Sequence, residues 1–322
     1  MNDNIKLSIV IPVYNVVEYI DECLNSVIRS YKDGVEVLLI DDGSSDGSEI
    51  KCDKYADMYD YIKVIHQVNG GLSLARNTGI YNSSGDYIWF VDSDDYISKT
   101  AISDIFIAIE EGKDLIIGEY ESFYPDGNKI ITEINTNKCK LDILPYEYFI
   151  TLGSVSYAAV KFIVKRDIII NNGLFFEKNI YHEDEDWTPR ILCNTKSFIN
   201  LDRIIYNYRI GNVNSIMGML NSKKVYDKLK ISKRLYDYGE MNKLSKEKKN
   251  FLKFRAEYMY IAALNEYSLY SLDERKRMKK EFEKYKYIIK NNRKKSKIVF
   301  NIMNLFGIFC TSKLLRLRNY IK

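Results

Sequence analysis

The chain has 322 residues, of which 46% are hydrophobic and 29% charged, and its formal net charge is +4. That balance excludes a disordered or low-complexity polymer, and the length allows two domains or one domain with an extension. The cysteines Cys23, Cys52, Cys139, Cys193 and Cys310 are odd in number and form no CxxC pair, which points to reduced thiols in a cytoplasmic protein.

The polar start MNDN is followed by LSIVIPV, short and broken by Pro12, which reads as a first strand (Leu7 to Ile11) and not as a signal peptide. From Tyr19 to Ser30 the residues Ile20, Leu24, Val27 and Ile28 recur at helical spacing. Further strands are expected at Val35 to Ile40, Ile62 to His66, Tyr87 to Val91 and Leu115 to Glu119. Strands that alternate with helical stretches predict an α/β fold, a mainly parallel sheet with helices on both faces, whose ligands bind where the carboxyl ends of the strands gather their loops.

From residue 220 onward Gly and Pro nearly vanish, and Lys-, Leu- and Tyr-rich patterns such as NFLKFRAEYMYIAALNEYSLYSL read as several helices. Charge divides at the same place. Residues 221 to 322 hold 28 Lys+Arg against 10 Asp+Glu, whereas residues 1 to 220 hold 20 against 34. No run of eighteen apolar residues occurs, so no membrane-crossing helix is expected.

The final segment, KIVFNIMNLFGIFCTSKLLRLRNYIK, is apolar over 298 to 310 and basic on both sides, through Lys294, Lys295 and Lys297 before it and Lys313, Arg316 and Arg318 after it. As a helix that core reaches only about 20 Å, too short to span a bilayer but suited to an anionic membrane surface. The competing reading is a solvated face over a helical core. No zinc finger or RNP sequence appears, so no nucleic-acid partner is expected.

Two acidic steps follow apolar runs. LLIDDGSSD sets Asp41 and Asp42 after the second strand, with Gly43 for a tight turn and Ser44 or Ser45 to cap the next helix; WFVDSDD sets Asp92, Asp94 and Asp95 after the fourth. A turn or a cap accounts for one such residue, but five carboxylates at two strand ends repel one another unless a cation or ligand compensates. An Asp-Ser-Asp step suits a hard ion, Mg²⁺ or Mn²⁺, whose shell a diphosphate would complete. The glycine-rich phosphate cradles GxxxxGK[ST] and GxGxxG are both missing.

In order along the chain, LSIVIPVYNVVEYIDECLNSV, LLIDDGSSDGS, NGGLSLARNTGI, GDYIWFVDSDDYI and HEDEDWTPRIL closely resemble glycosyltransferase family 2, the inverting nucleotide-sugar enzymes with a GT-A fold. The resemblance spans roughly residues 5 to 215 and says almost nothing beyond 220. It implies a nucleotide-sugar-binding domain over 1–215 and a basic helical region over 216–322. Pro12 and Tyr14 would wall the nucleotide pocket. Asp42, with Asp41 beside it, would bond the uracil or ribose. Gly70 and Gly71 would let backbone approach the nucleotide, and Arg76 and Asn77 would line the pocket. Asp92 and Asp94 match the DxD, Asp94 for the metal (Mn²⁺ or Mg²⁺) and Asp92 for the ribose or to support the metal. Ser93 joins the nucleotide-sugar set, and Asp95 lies nearer the donor sugar. Arg209, in a segment like the family's Tyr-x-Tyr-Arg, would reach the diphosphate, where a guanidinium offsets charge on the leaving group.

An inverting transfer needs one base to take the acceptor hydroxyl's proton, and a carboxylate within hydrogen-bond reach suffices. The family's base lies in a Glu-Asp step at a helix start. The spacing to Trp187 aligns that step with Glu183 and Asp184 and favours Asp184, while the repeated step in EDEDW keeps Asp186 as the alternative. His182 is read as structural or as an acceptor contact, and Trp187 as core or as a sugar platform. The QxxRW motif of processive members is absent, which favours single addition.

The expected enzyme moves a sugar from a nucleotide donor, a UDP-sugar, to a glycan hydroxyl in bacterial surface-polysaccharide synthesis. A lipid-linked acceptor and attachment to the inner face of the cytoplasmic membrane are compatible with it. The rivals are a metal-dependent nucleotidyltransferase and a non-catalytic protein that uses the basic C-terminal part to bind membrane or nucleic acid.

Overall fold

A computed structural model of the chain describes residues 5–124, 129–130, 143–153, 155–211, 220–241, 243–290 and 293–320. The described strands are β1 (Leu7–Val13), β2 (Val35–Asp41), β3 (Ile62–His66), β4 (Tyr87–Phe90), β5 (Tyr96–Ile97), β6 (Leu115–Phe123), β7 (Lys129–Ile130), β8 (Phe162–Lys165) and β9 (Phe198–Arg209). The helices are α1 (Ile20–Ser30), α2 (Ser48–Met58), α3 (Leu72–Asn82), α4 (Ala101–Glu110), α5 (Pro145–Leu152), α6 (Arg166–Asn171), α7 (Glu183–Asn194), α8 (Ser222–Met241), α9 (Lys246–Glu266), α10 (Leu272–Tyr285) and α11 (Lys294–Tyr320). The chain divides into two compact units, Met1–Asn179 with Ile191–Met217 and Ile180–Arg190 with Gly218–Lys322. The second unit therefore takes in Ile180–Arg190, a stretch that the sequence reading counted with the first 215 residues.

In the first unit the sheet runs β3-β2-β1-β4-β8-β6-β9-β5, with β7 paired to β6. The first four strands are parallel, as their alternation with helices requires. Beyond β4 the sheet is mixed: β8 is antiparallel to both β4 and β6, and β5 is antiparallel to β9. Every residue of β1 and β2 is buried, which is why both read as near-continuous apolar runs.

The exceptions in those runs pair with each other. Ser8 and Glu36 face one another across β1 and β2, and the Glu36 carboxylate accepts bonds from the Ser8 hydroxyl (2.7 Å), the Ser84 N–H (2.6 Å) and the Lys63 ammonium (3.1 Å). Burial alone would raise the pKa of this group. The hydrogen bonds outweigh burial and hold the carboxyl below its ordinary value.

In the second unit α8, α9, α10 and α11 gather around Val225, Leu229, Tyr260, Leu264, Met278, Phe282 and Met303. Ser245 caps α9 by accepting from Lys248 N, and Ser271 with Glu274 forms a capping box on α10. The helices expected beyond residue 220 are thus present. The described residues also hold one helix, over Lys294–Leu317, long and apolar enough by length and composition to cross a membrane. The count of consecutive apolar residues had excluded such a helix; scattered polar residues broke the run without lowering its average enough.

Candidate functional site

The acidic residues of the first unit stand at the carboxyl ends of β2 and β4. Asp42 N donates to Val13 O (2.9 Å) and Gln67 N to Asp41 O (2.9 Å), so the ladder continues past the strands and holds their ends in register. Gly43, at φ +77°, turns the chain away. Ser44 and Ser45 do not cap the next helix, as expected of them. Ser44 N bonds Asp41 (3.0 Å), Ser45 N bonds the Asn15 side chain (2.9 Å), and α2 begins only at Ser48, after Gly47. The serines instead tie the β1 and β2 loops together, beneath an exposed Tyr14 and a buried Pro12.

Asp41 and Asp42 are both buried and both hydrogen-bonded within the protein. The Asp41 carboxylate accepts from Ser44 N and contacts His66 Nδ1 (2.8 Å), whose Nε2 contacts Asp53 (3.0 Å). Burial would raise the Asp41 carboxyl, but Ser44 and His66 outweigh it and lower the group; His66 in turn is raised, first by Asp41 and then by Asp53. Asp42 accepts from the Gln67 amide (2.6 Å), Gly70 N (2.9 Å) and Gly71 N (2.7 Å). Gly71 reaches that geometry at φ +82°, which favours glycine. These three donors leave acceptor capacity on Asp42 Oδ2 among the described residues.

The DSDD stretch alternates in exposure. Asp92 and Asp94 are half-buried and open to solvent, while Ser93 and Asp95 are buried. Asp92 pairs with Arg76 (2.7 Å), whose buried guanidinium lies over the Phe90 and Phe176 rings. Asp95, expected near the donor sugar, is turned inward instead, with 1% of its surface exposed. Its carboxylate accepts from the Tyr206 hydroxyl (2.6 Å) and from Arg209 N (2.7 Å), while the same hydroxyl accepts from Asp92 N (3.1 Å). Burial, then the neighbouring Asp94 and Asp92 charges, pushes the Asp95 carboxyl well up.

Antiparallel pairing of β5 with β9, Tyr96 opposite Asn207, is what carries Arg209 to this turn. The Arg209 Nε donates to Asp94 O (2.9 Å), its guanidinium pairs with Glu22, and it lies over the Tyr19 and Phe123 rings. The Ser-containing loop that follows, residues 212–219, lies outside the described residues, as does Cys139.

Asn77, expected to line the nucleotide pocket, borders a surface cavity with Leu74, Thr78, Tyr81 and Phe175. Its amide donates to Phe176 O (2.9 Å) and accepts from Phe176 N (2.9 Å), so both polar ends hold the loop after α6. Among the described residues no group of three or more His, Cys, Asp or Glu side chains forms a metal cage. Asp92, which also pairs with Arg76, and Asp94 offer two half-buried carboxylates. That donor set fits Mg²⁺ or Mn²⁺, which take oxygen ligands and fill their shells with phosphate and water, and does not fit an ion that needs an all-protein cage.

In the second unit, HEDED opens α7. His182 sits at φ 62°, and burial pushes its imidazole down to about 4, so it is neutral near pH 7. Asp186 is fully buried and clamped by Arg190 (2.6 Å) and Arg234 (3.1 Å), while Glu185 pairs with Arg255. Asp184 is half-buried, and its Oδ1 accepts from Glu185 N (2.9 Å). Trp187 is fully buried, a core residue and not a platform. Of the clamp on Asp186, only Arg190 was legible, at the i,i+4 spacing. His66, Gln67 and Tyr206 carried no local signal, because each meets its carboxylate across the sheet.

The family described as glycosyl transferase family 2 matches residues 8–169. The uncharacterized glycosyltransferase YibD of Escherichia coli K12 is 28% identical over 66% of this chain and 63% of its own length. The poly(ribitol-phosphate) beta-glucosyltransferase of Bacillus spizizenii is 34% identical over 46% of this chain and 24% of its own. The chain thus spans less than two thirds of each of these relatives. Among solved structures, S. aureus TarS 1-349 in complex with UDP-GlcNAc superposes with a TM-score of 0.76 at 18% identity, covering 98% of this chain and 91% of that one. At that identity the likeness speaks for the fold, including the helices beyond residue 220.

Proposed function

The chain belongs to glycosyl transferase family 2, and on that premise we propose that it is an inverting glycosyltransferase that moves a sugar from a UDP-sugar to a hydroxyl of a glycan acceptor in bacterial surface-polysaccharide synthesis. In this reading residues 1–215 bind the nucleotide sugar and 216–322 form a basic helical region. The observation that carries the reading is the alternation of the DSDD turn, which turns Asp92 and Asp94 to solvent and commits Asp95 to the protein. A UDP donor is in keeping with the ligand of the TarS structure. A polysaccharide acceptor is in keeping with the name of the ribitol-phosphate relative.

Asp94, with Asp92, would hold a divalent ion, which would offset charge on the departing phosphates. Asp42, with the Gly70–Gly71 backbone, receives the base and ribose, and Arg76 holds Asp92 in place. Asp184 takes the proton of the acceptor hydroxyl as its oxygen forms the new bond to the anomeric carbon. The bond from that carbon to the diphosphate oxygen breaks on the opposite face, the electron pair leaves with UDP, and Arg209 offsets its charge. No second carboxylate is needed as a nucleophile. Asp186 is unsuited to the base's role, because its buried carboxylate already neutralises Arg190 and Arg234.

Calorimetry of UDP binding with Mn²⁺ or Mg²⁺, and again with EDTA, tests the metal-bridged donor. UDP affinity is expected to fall sharply on chelation and in Asp94→Ala. Equal affinity in both conditions rejects the metal.

A further inference from the structure

We propose that α11 is a docking surface for an anionic lipid bilayer, lying in the plane of its interface without crossing it. The helix is interrupted at Gly307, whose φ of 75° and ψ of 170° are not helical, so two helical pieces meet there. One side of each piece is buried in the second unit's core: Val299 and Met303 on the first, and Ile308, Thr311 and Ser312 on the second. The Ser312 hydroxyl also accepts from Ser268 N at 2.9 Å.

The other side carries, beside the exposed Asn301 and Asn304, large apolar groups where a surface helix carries mainly polar ones. Leu305 and Phe306, just before the break, are 76% and 63% exposed, and Ile298, Leu314 and Leu317 are each at least half exposed. The spacing of Ile298 to Leu305, and of Leu314 to Leu317, keeps each set on one stripe.

Charge selects the occupant. From Lys284 to the C-terminus the chain carries 11 Lys+Arg and no Asp or Glu. Lys294, Lys295, Lys297 and Lys313 are exposed beside the apolar stripe. A second copy of the chain would bring this basic surface against itself, and a neutral apolar partner would leave its charge unanswered. A bilayer with anionic headgroups answers both features, taking the leucines and the phenylalanine into the acyl boundary and the lysines at the phosphate level.

Crossing the bilayer is a different matter. Lys294–Leu317 has the length for it, but crossing would strip Val299, Met303 and Ile308 from the core and force Gly307 into the helix. In-plane docking uses only the side that is already exposed. Nothing in this inference depends on the transferase reading.

Flotation of the full chain with vesicles of phosphatidylcholine, with and without added phosphatidylglycerol, tests it. The chain is expected to float with the anionic vesicles only, and less as salt rises. Lys294→Gln, Lys295→Gln and Lys297→Gln combined should weaken binding about a hundredfold, and Leu305→Asp with Phe306→Asp at least tenfold. Circular dichroism confirms that each variant stays folded, and UDP binding by the same variants keeps this test separate from that of the transferase. A nitrobenzoxadiazole label on the exposed Cys310, in a Cys139→Ser background, should shift to the blue on anionic vesicles. Absence of flotation at low salt overturns the proposal. So does a dimer by light scattering that Phe306→Asp disperses while no variant floats, since that makes the occupant a second copy.

Discussion

Asp92 to Asp95 holds three carboxylates and Glu183 to Asp186 four, and the two stretches spread their charge in different ways. The first stretch is a turn after β4, closed by Asp95 N donating to Asp92 O (3.1 Å), and a turn sends neighbouring side chains to different sides. Asp92 and Asp94 therefore open to solvent while Asp95 enters the core under Tyr206. The second stretch opens a helix, where free backbone N–H groups and the macrodipole favour negative charge along the whole first turn. There Asp186 points inward to Arg190 and Arg234, and Asp184 stays half-exposed. In each stretch the most buried aspartate is bound within the protein, Asp95 by the Tyr206 hydroxyl and the Arg209 backbone and Asp186 by two guanidinium groups, while the half-buried Asp92 and Glu185 pair with Arg76 and Arg255. Acid content therefore does not mark the reacting group; the partners of each carboxylate do.

The strongest way to break that comparison is Asp186→Ala. It leaves Arg190 and Arg234 without their buried counter-charge, and a loss of about 3–5 kcal/mol is expected in urea or thermal unfolding. Asp184→Asn should instead leave stability and UDP binding nearly intact and slow transfer by about 10² or more, the scale of a lost general base. A stable but inactive Asp186→Asn, beside an active Asp184→Asn, would move the base to the later aspartate.

Tyr206→Phe sharpens the first half. It removes the donor to buried Asp95 and the acceptor of Asp92 N, for an expected cost of about 1–3 kcal/mol and a parallel loss of UDP affinity as the turn loosens.

The smallest effect is a pH dependence at Asp41. The raised His66 contributes fully below its unfolded value of about 6.5 and loses that contribution as pH rises through its folded value. The lowered Asp41 contributes above its unfolded value and loses its share as pH falls. Stability should therefore decline above neutrality, by no more than about 1 kcal/mol given the exposure of His66. His66→Gln should flatten the decline in thermal unfolding measured across that range.

Much of the first unit was legible because β1 to β4 are local patterns. Ile62 to His66 was read with the bounds that the structure has, and the other three strands within a few residues. The strands β8 and β9 escaped notice. Nothing in FIVK or FINLDRIIYNYR says that one will lie antiparallel between β4 and β6 and the other beside both β6 and β5. Without the pairing of β9 with β5, the reason Arg209 meets Asp94 stays hidden. The same gap leaves unseen that the turn at Asp92 carries Asp95 under the Tyr206 hydroxyl. The tie between Asn77 and Phe176 is hidden for a related reason, since the two are distant in sequence and both amide ends of Asn77 meet the Phe176 backbone.

By itself the sequence determined the parallel sheet, its acidic strand ends, the helical basic region and the family, because strand alternation, helical period and motif spacing are properties of short stretches. Only the tertiary structure decided which carboxylates face solvent and which are bound within the protein. Burial and pairing depend on what arrives from elsewhere in the chain: His66 opposite Asp41 in the sheet register, Tyr206 under Asp95, and Arg234 against Asp186 across 48 residues. The same holds at the C-terminus. Composition made the last helix apolar and basic, but the core around Met303 chose which side stayed dry, and the break at Gly307 made two short helices of what composition alone would allow to be one long one.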